Sequence, residues 1–188
     1  MVESEGFVPD RRDPLYDELL VLRCQRDDAA AFDELVGRWQ ERLWRHARRV
    51  VGDEEAAWDV LQEAWVAVVK GLKRLDAPEL FPAWAYRIVN HKAIDWIRRR
   101  QTRRKMERQA LSEAERAARH PPADDNEAIA LRDALDRLGA DQRAILSLKY
   151  AEGFGVDEIA QILGIPEGTV KSRLHYAREA LRQVLKED

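Results

Sequence analysis

Lys171, Ser172, Arg173, His175, Tyr176 and Arg178 crowd one short stretch near the end of the chain. Lysine and arginine neutralise phosphates, while hydroxyl, imidazole and amine groups reach base edges. With Thr169 they fall on the outward positions of the segment after Pro166 and Glu167. Lys171, Ser172, His175 and Tyr176 suit base edges; Arg173, Arg178 and Arg182 suit phosphates. A cationic face needs a scaffold to enter a groove, and the preceding residues supply one. Val156 to Leu174 reads VDEIAQILGIPEGTVKSRL. Ala160 leaves room for a second helix to cross the first. Gly164 supplies the positive φ that ends the first helix. Val170 plugs the second helix onto the first, and Ile159, Ile162, Leu163 and Leu174 complete a shared core. This is a helix-turn-helix, which offers its second helix to a DNA major groove.

Two further charged stretches stand out. From Arg87 to Lys105 there are eight basic residues and one acid, Asp95, interleaved with Trp84, Tyr86, His91 and Trp96. Cations alternating with planar side chains suit single-stranded or melting DNA, whose bases stack while its phosphates are neutralised. From Asp53 to Glu63 there are five acids and no base. Asp59, Gln62 and Glu63 stand at i, i+3 and i+4, on one helical patch. An acidic patch repels DNA, so this face suits a basic protein surface. The net charge of −3 therefore conceals two surfaces of opposite sign. Free in solution, opposite charges on the N-terminal and C-terminal blocks are expected to let those blocks mask one another.

Catalysis finds little support. There is no Gly-rich phosphate loop, HExxH or nucleophile elbow, so no catalytic residue is assigned. The four histidines, His46, His91, His120 and His175, lack ligand spacing, and no metal, cofactor or small-molecule substrate is expected. A carboxylate nuclease built on Asp53, Asp59 and Glu63 is disfavoured, because that helix is expected far from the basic surface. The single cysteine, Cys24, excludes an intramolecular disulfide. No apolar run approaches the ~20 residues of a membrane span, and MVESEGFVPDRRDP does not read as a signal peptide. A reducing cytoplasm is the expected setting.

These stretches must be held by helices. Glycine and proline are scarce, 9 and 7 of 188 residues, which disfavours a turn-rich β protein. Phe32, Leu35, Val36, Trp39, Leu43, Ala47 and Val50 recur with the 3.6-residue period. Gly52-Asp53 ends that helix and caps the next, whose stripe is Ala57, Val60, Leu61, Ala64, Trp65, Val68 and Leu72. A loop at Leu75 to Leu80 leads to a third stripe, Trp84, Ile88, Val89, Ala93, Ile94 and Ile97. A shorter helix around Tyr16 to Arg26 precedes them. The fold class is all-α: an N-terminal helical bundle over 14–105, a frayed helix and flexible linker over 106–126, and a helix-turn-helix domain over 127–188. Within the last, Leu131, Leu135 and Leu138 mark one short helix. Ala144, Ile145, Leu148 and Lys149 mark another, capped by Asp141. Glu152 to Gly155 forms a turn, and the final helix keeps an apolar face as far as Leu185.

With these motifs in order, the chain resembles a bacterial RNA polymerase sigma factor of the extracytoplasmic-function (ECF) group. The segments that carry the likeness are AFDELVGRW, DVLQEAWVAVVKGL and FPAWAYRIVNHKAIDWIRRR, then QRAILSLKYAEGFGVDEIAQILGIPEGTVKSRLHYAREALR. The resemblance implies a non-enzymatic subunit that binds core RNA polymerase and directs it to promoter DNA. It implies that Asp59, Gln62 and Glu63 dock on the polymerase. It places minus-ten recognition and melting on residues 75–96 and the basic turn beyond, with Asn90, His91, Lys92, Asp95, Trp96, Arg98 and Arg99 facing DNA. It places minus-thirty-five recognition on Thr169 to Arg178. The family often has Asn where His91 stands, with Asn90 displaced by one. The tryptophan pair of housekeeping sigma factors falls at Ile88 and Val89, which implies a weaker melting wedge and more stringent promoter choice. Many relatives carry Arg where Tyr176 stands. An anti-sigma factor is an implied further partner. The alternative is a stand-alone helix-turn-helix regulator, which would dimerise on half-sites and has no need of the DVLQE patch.

Overall fold

Aspartates start the first three helices. In this computed structural model, which describes residues 13–111 and 138–184, Asp13 caps α1 (Pro14–Cys24), Asp28 caps α2 (Ala29–Val51) and Asp53 caps α3 (Glu54–Gly71). Each carboxylate accepts a backbone N–H that the first turn leaves without a partner. Gly52 closes α2 at φ 78°. Short 3-10 turns at Leu72–Arg74 and Pro78–Leu80 lead into α4 (Phe81–Leu111). The second block comprises α5 (Ala140–Leu146), a π-helical turn (Ser147–Ala151), α6 (Val156–Leu163) and α7 (Glu167–Val184). There is no strand among the described residues.

The apolar stripes of α2 and α3 are buried as the periodicity predicts. Leu35, Trp39, Leu43, Ala47 and Val50 face Val60, Leu61, Ala64 and Val68. A buried ion pair, Arg38 Nε to Asp17 Oδ1 at 2.7 Å, ties α1 to α2. The Gln25 amide donates to the carbonyls of Leu72 and Leu75, which fixes the connection leading to α4.

Two expectations change. The buried face of α4 is Phe81, Ala85, Tyr86, Val89 and Ala93, whereas Trp84 and Ile88 are only half-buried. The reason is that α4 packs against α2 and α3 and also against α5 and α6, so its buried arc is wider than one bundle requires. The same helix runs to Leu111, into the stretch read from 106 as a frayed helix and linker. Gly139, not Asp141, is the N-cap of α5, with the Gln142 side chain returning to the Gly139 N–H at 3.1 Å. The helix expected at Leu131 and Leu135, the rest of the linker and Leu185 lie outside the described residues.

Candidate nucleic-acid and polymerase interfaces

The helix-turn-helix forms as its three constrained positions require. Gly164 ends α6 at φ 66°, and its N–H bonds the carbonyl of Ala160. Val170 is fully buried with Ile159, Ile162, Leu174 and Ala177. Helix α7 therefore exposes Lys171, Ser172, Arg173, His175, Tyr176 and Arg178, with Thr169 half-buried. Tyr176 is 66% exposed and its ring lies 5.6 Å from that of His175. Lys171 rests near Glu167 at 3.9 Å and Ser172 donates back to the Thr169 carbonyl. Helix α7 packs on α5 and α6, so its cationic face remains open.

Helix α4 presents His91, Asp95, Arg98 and Arg99 to solvent, with Lys92 and Trp96 half-buried. The Arg100 guanidinium stacks over Trp96 at 4.9 Å, and Asp95 sits 3.7 Å from Arg98. Asn90 is only 5% exposed, and its Oδ1 has no protein partner. Tyr86, read from sequence as one of the aromatics interleaved with cations, is fully buried. It packs edge-on to Trp39, His46 and Phe154, so no base can stack on it in this arrangement.

On α3, Asp59 and Gln62 are exposed. Glu63 is not separate from the basic surface as expected. Its carboxylate takes Lys92 Nζ at 3.3 Å and Arg99 Nη2 at 3.2 Å. The reason is that α3 and α4 pack side by side, bringing an acidic and a basic stretch 29 and 36 residues apart in sequence into contact. Partial burial pushes the Glu63 carboxyl upward, but hydrogen bonds from Lys92 and Arg99 outweigh it and hold the group below its usual range. An open cleft of about 630 Å³ runs along this contact, lined by Asp59, Gln62, Glu63, Trp96, Arg99, Arg100 and Arg103.

The two blocks are docked on each other, and sequence reasoning missed the residues that join them. Arg143 on α5 donates from Nε and Nη2 to the Val50 carbonyl at 2.9 and 2.6 Å. Val50 lies in the last turn of α2, where carbonyls lack helical partners. Glu152 bonds Arg49 at 2.8 Å and accepts from the Tyr86 hydroxyl. Burial and the Glu152 charge both raise the Tyr86 phenol well above its usual range. Phe154 caps the Tyr86 ring, with centroids 5.1 Å apart. His46 Nδ1 lies 3.0 Å from Ser147 Oγ, both side chains buried. The blocks do face each other as expected, but through this seam rather than through the opposite-charge patches.

His46 makes the seam sensitive to acid. Burial, then the Arg49 charge, push its imidazole from 6.5 down to about 3. The folded chain holds His46 neutral while the unfolded chain protonates it near its ordinary value. Stability supplied by the neutral group is therefore present above about pH 6.5 and lost as pH falls toward 3. Between about pH 7 and pH 5 the loss is about 2 kcal/mol. Denaturant midpoints across that range should fall accordingly, and a His46→Gln variant should flatten the profile.

Comparison with known proteins places this geometry in a family. Residues 35–103 match Sigma-70 region 2, and residues 128–181 match Sigma-70, region 4. The ECF RNA polymerase sigma factor SigL of Mycobacterium tuberculosis is 34% identical over 164 residues, 85% of this chain and 92% of that protein. The RNA polymerase sigma-H factor of Pseudomonas aeruginosa is 32% identical over 182 residues, covering 90% and 93%. Among solved structures, CnrH in complex with the cytosolic domain of CnrY superposes with a TM-score of 0.68 at 26% identity, covering 92% of this chain and 99% of that one. RpoE in complex with the anti-sigma factor NepR from Bartonella quintana gives 0.65 at 26%, covering 84% and 98%. A buried seam, an exposed helix-turn-helix and a mixed-charge helical bundle are thus the parts of an alternative sigma factor: the chain belongs to the ECF group, whose members direct RNA polymerase to promoters.

Proposed function

We infer that the three exposed faces divide the work of promoter recognition. Asp59, Gln62 and Glu63 dock on core polymerase. His91, Lys92, Asp95, Trp96, Arg98 and Arg99 meet the minus-ten strand, joined by Asn90 once it is uncovered. Thr169, Lys171, Ser172, Arg173, His175, Tyr176 and Arg178 read the minus-thirty-five element. The working units are residues 14–105 and 127–188, tethered by 106–126. The observation that carries this reading is that Asp59 and Gln62 stay exposed on a helix whose other face is packed. A stand-alone regulator has no use for such a patch. The subunit acts by binding and positioning, without chemistry of its own, and works in the cytoplasm. No described helix is long and apolar enough to cross a membrane. An anti-sigma factor is a fitting further partner, since RpoE of Bartonella quintana is held by one.

The docked arrangement is incompatible with simultaneous reading of both elements. About 25 base pairs at about 3.4 Å each separate the two elements by roughly 85 Å. The longest described helix, α4, spans only about 46 Å, and α5 and α6 dock beside it. The seam must open before both faces engage, and polymerase then holds them apart so that the tether supplies avidity. The isolated chain should therefore bind a full promoter poorly. Gel shifts with and without core polymerase check this, and tight promoter-specific binding by the chain alone would contradict it. The decisive test of function is in vitro transcription with purified core polymerase on a genomic promoter library. New start sites sharing two spaced elements are expected; none would refute the reading.

A further inference from the structure

Glu63 is the one carboxylate of the docking patch that touches the DNA-facing helix. Lys92 and Arg99 lie seven residues apart on α4, two turns along one face, with Trp96 between them. Both cations converge on the same carboxylate, at 3.3 and 3.2 Å. The side chains are 41% exposed for Glu63, 36% for Lys92 and 61% for Arg99. Ion pairs this exposed add little to fold stability. Their consequence lies in charge instead. While Glu63 holds them, the pair presents one net positive charge to a phosphate rather than two, and both ammonium and guanidinium donors point toward α3.

We propose that Glu63 is an exchange point between the two partners: in the free chain it occupies Lys92 and Arg99, and a cationic polymerase side chain that takes its carboxylate releases both to the DNA strand. This rests on the docking assignment above and adds a role distinct from docking. Asp59 and Gln62 only bind polymerase, whereas Glu63 couples polymerase binding to DNA binding. The cleft along the α3–α4 contact, with Glu63 on one wall and Trp96 and Arg99 on the other, gives an incoming side chain access to the carboxylate. By thermodynamic linkage the coupling is reciprocal: DNA that captures Lys92 and Arg99 frees Glu63 for polymerase by the same factor.

The test uses the full chain and a short fluorescent single-stranded oligonucleotide, followed by anisotropy across a salt series. Glu63→Gln should bind the oligonucleotide about three- to tenfold more tightly than wild type, with a salt slope steeper by about 0.7 for each additional phosphate engaged. Glu55→Gln makes the same charge change on the same exposed helix without an ion pair to α4 among the described residues. It should shift affinity by less than about a third of that. Adding Lys92→Ala and Arg99→Ala to Glu63→Gln should erase the gain. With core polymerase present, the tightening caused by polymerase should shrink in Glu63→Gln by the factor the variant gained when free. The proposal is overturned if Glu63→Gln binds no more tightly than wild type, if Glu55→Gln matches it, or if polymerase tightens both proteins equally. A separate arm measures polymerase affinity of Asp59→Ala/Gln62→Ala. Unchanged affinity there would remove the docking assignment, whatever Glu63→Gln does to the free chain.

Discussion

Replacing Asp59 and Gln62 together by alanine should lower affinity for core polymerase by two orders of magnitude or more while leaving the fold intact. Both side chains are exposed. Among the described residues, neither takes part in an ion pair or side-chain hydrogen bond that holds α3 to its neighbours, and alanine favours the helix slightly. Unfolding free energy should therefore stay within about 0.5 kcal/mol of wild type, as surface substitutions usually do. The effect on association is large for a different reason. A few central residues dominate most interfaces, each worth about 2 kcal/mol or more when truncated. Two such losses on one patch exceed the about 2.7 kcal/mol that a hundredfold weakening represents. Co-elution with core polymerase and a titration of labelled chain give both numbers. Persistence of wild-type affinity with unaltered melting would show that polymerase grips a different face.

Tyr86→Ala should be the most damaging single change to stability. Tyr86 is fully buried, and its ring touches Trp39 and His46 of α2 and Phe154 of the second block. Removing a buried aromatic typically costs about 3–5 kcal/mol, a large share of a domain's net stability. The cavity would open in both blocks at once. It would also leave Glu152 with Arg49 alone. Tyr86→Phe separates the two parts, because it keeps the ring and deletes only the hydroxyl bonded to Glu152. About 1–3 kcal/mol is expected from losing a hydrogen bond to a charged acceptor that keeps only Arg49. Denaturant unfolding of both variants decides the matter. A cost under about 1 kcal/mol for Tyr86→Ala would mean the ring is not part of a shared core.

Most local structure was legible in the chain because it depends on neighbours in sequence. The stripes of α2 and α3, the Gly52-Asp53 junction and the Ala160, Gly164 and Val170 triplet each state their own geometry. What the sequence conceals is non-local. Tyr86 sits among cations and reads as a stacking aromatic, yet the fold spends it on joining two blocks. His46 interrupts an apolar stripe between Leu43 and Ala47, a hint of burial, but nothing nearby announces Ser147 as its partner 101 residues away. Glu63 reads as one of three residues of a docking patch, and its cationic partners show only when α4 is laid beside α3. Asp141 is the stronger capping type, yet α5 is capped two residues earlier, where the Gly139 N–H donates to the Gln142 side chain. The DNA-reading assignments on α4 and α7 came from residue type and family likeness. The arrangement adds which of those groups are exposed and which are buried or ion-paired.

The π-helical turn at Ser147–Ala151 has a further consequence. The Glu152 N–H reaches five residues back to the Ser147 carbonyl at 3.0 Å, which accommodates one residue more than regular winding. Because the turn already absorbs that residue, deleting Tyr150, exposed at the surface, would let the segment rewind as ordinary α-helix with Glu152 still beside Arg49 and Tyr86. Inserting a further residue, with nothing left to absorb it, would instead turn Glu152 by about 100° around the axis and away from both. The surplus is slack already taken up, and cousins a single codon shorter there are expected to keep their halves together.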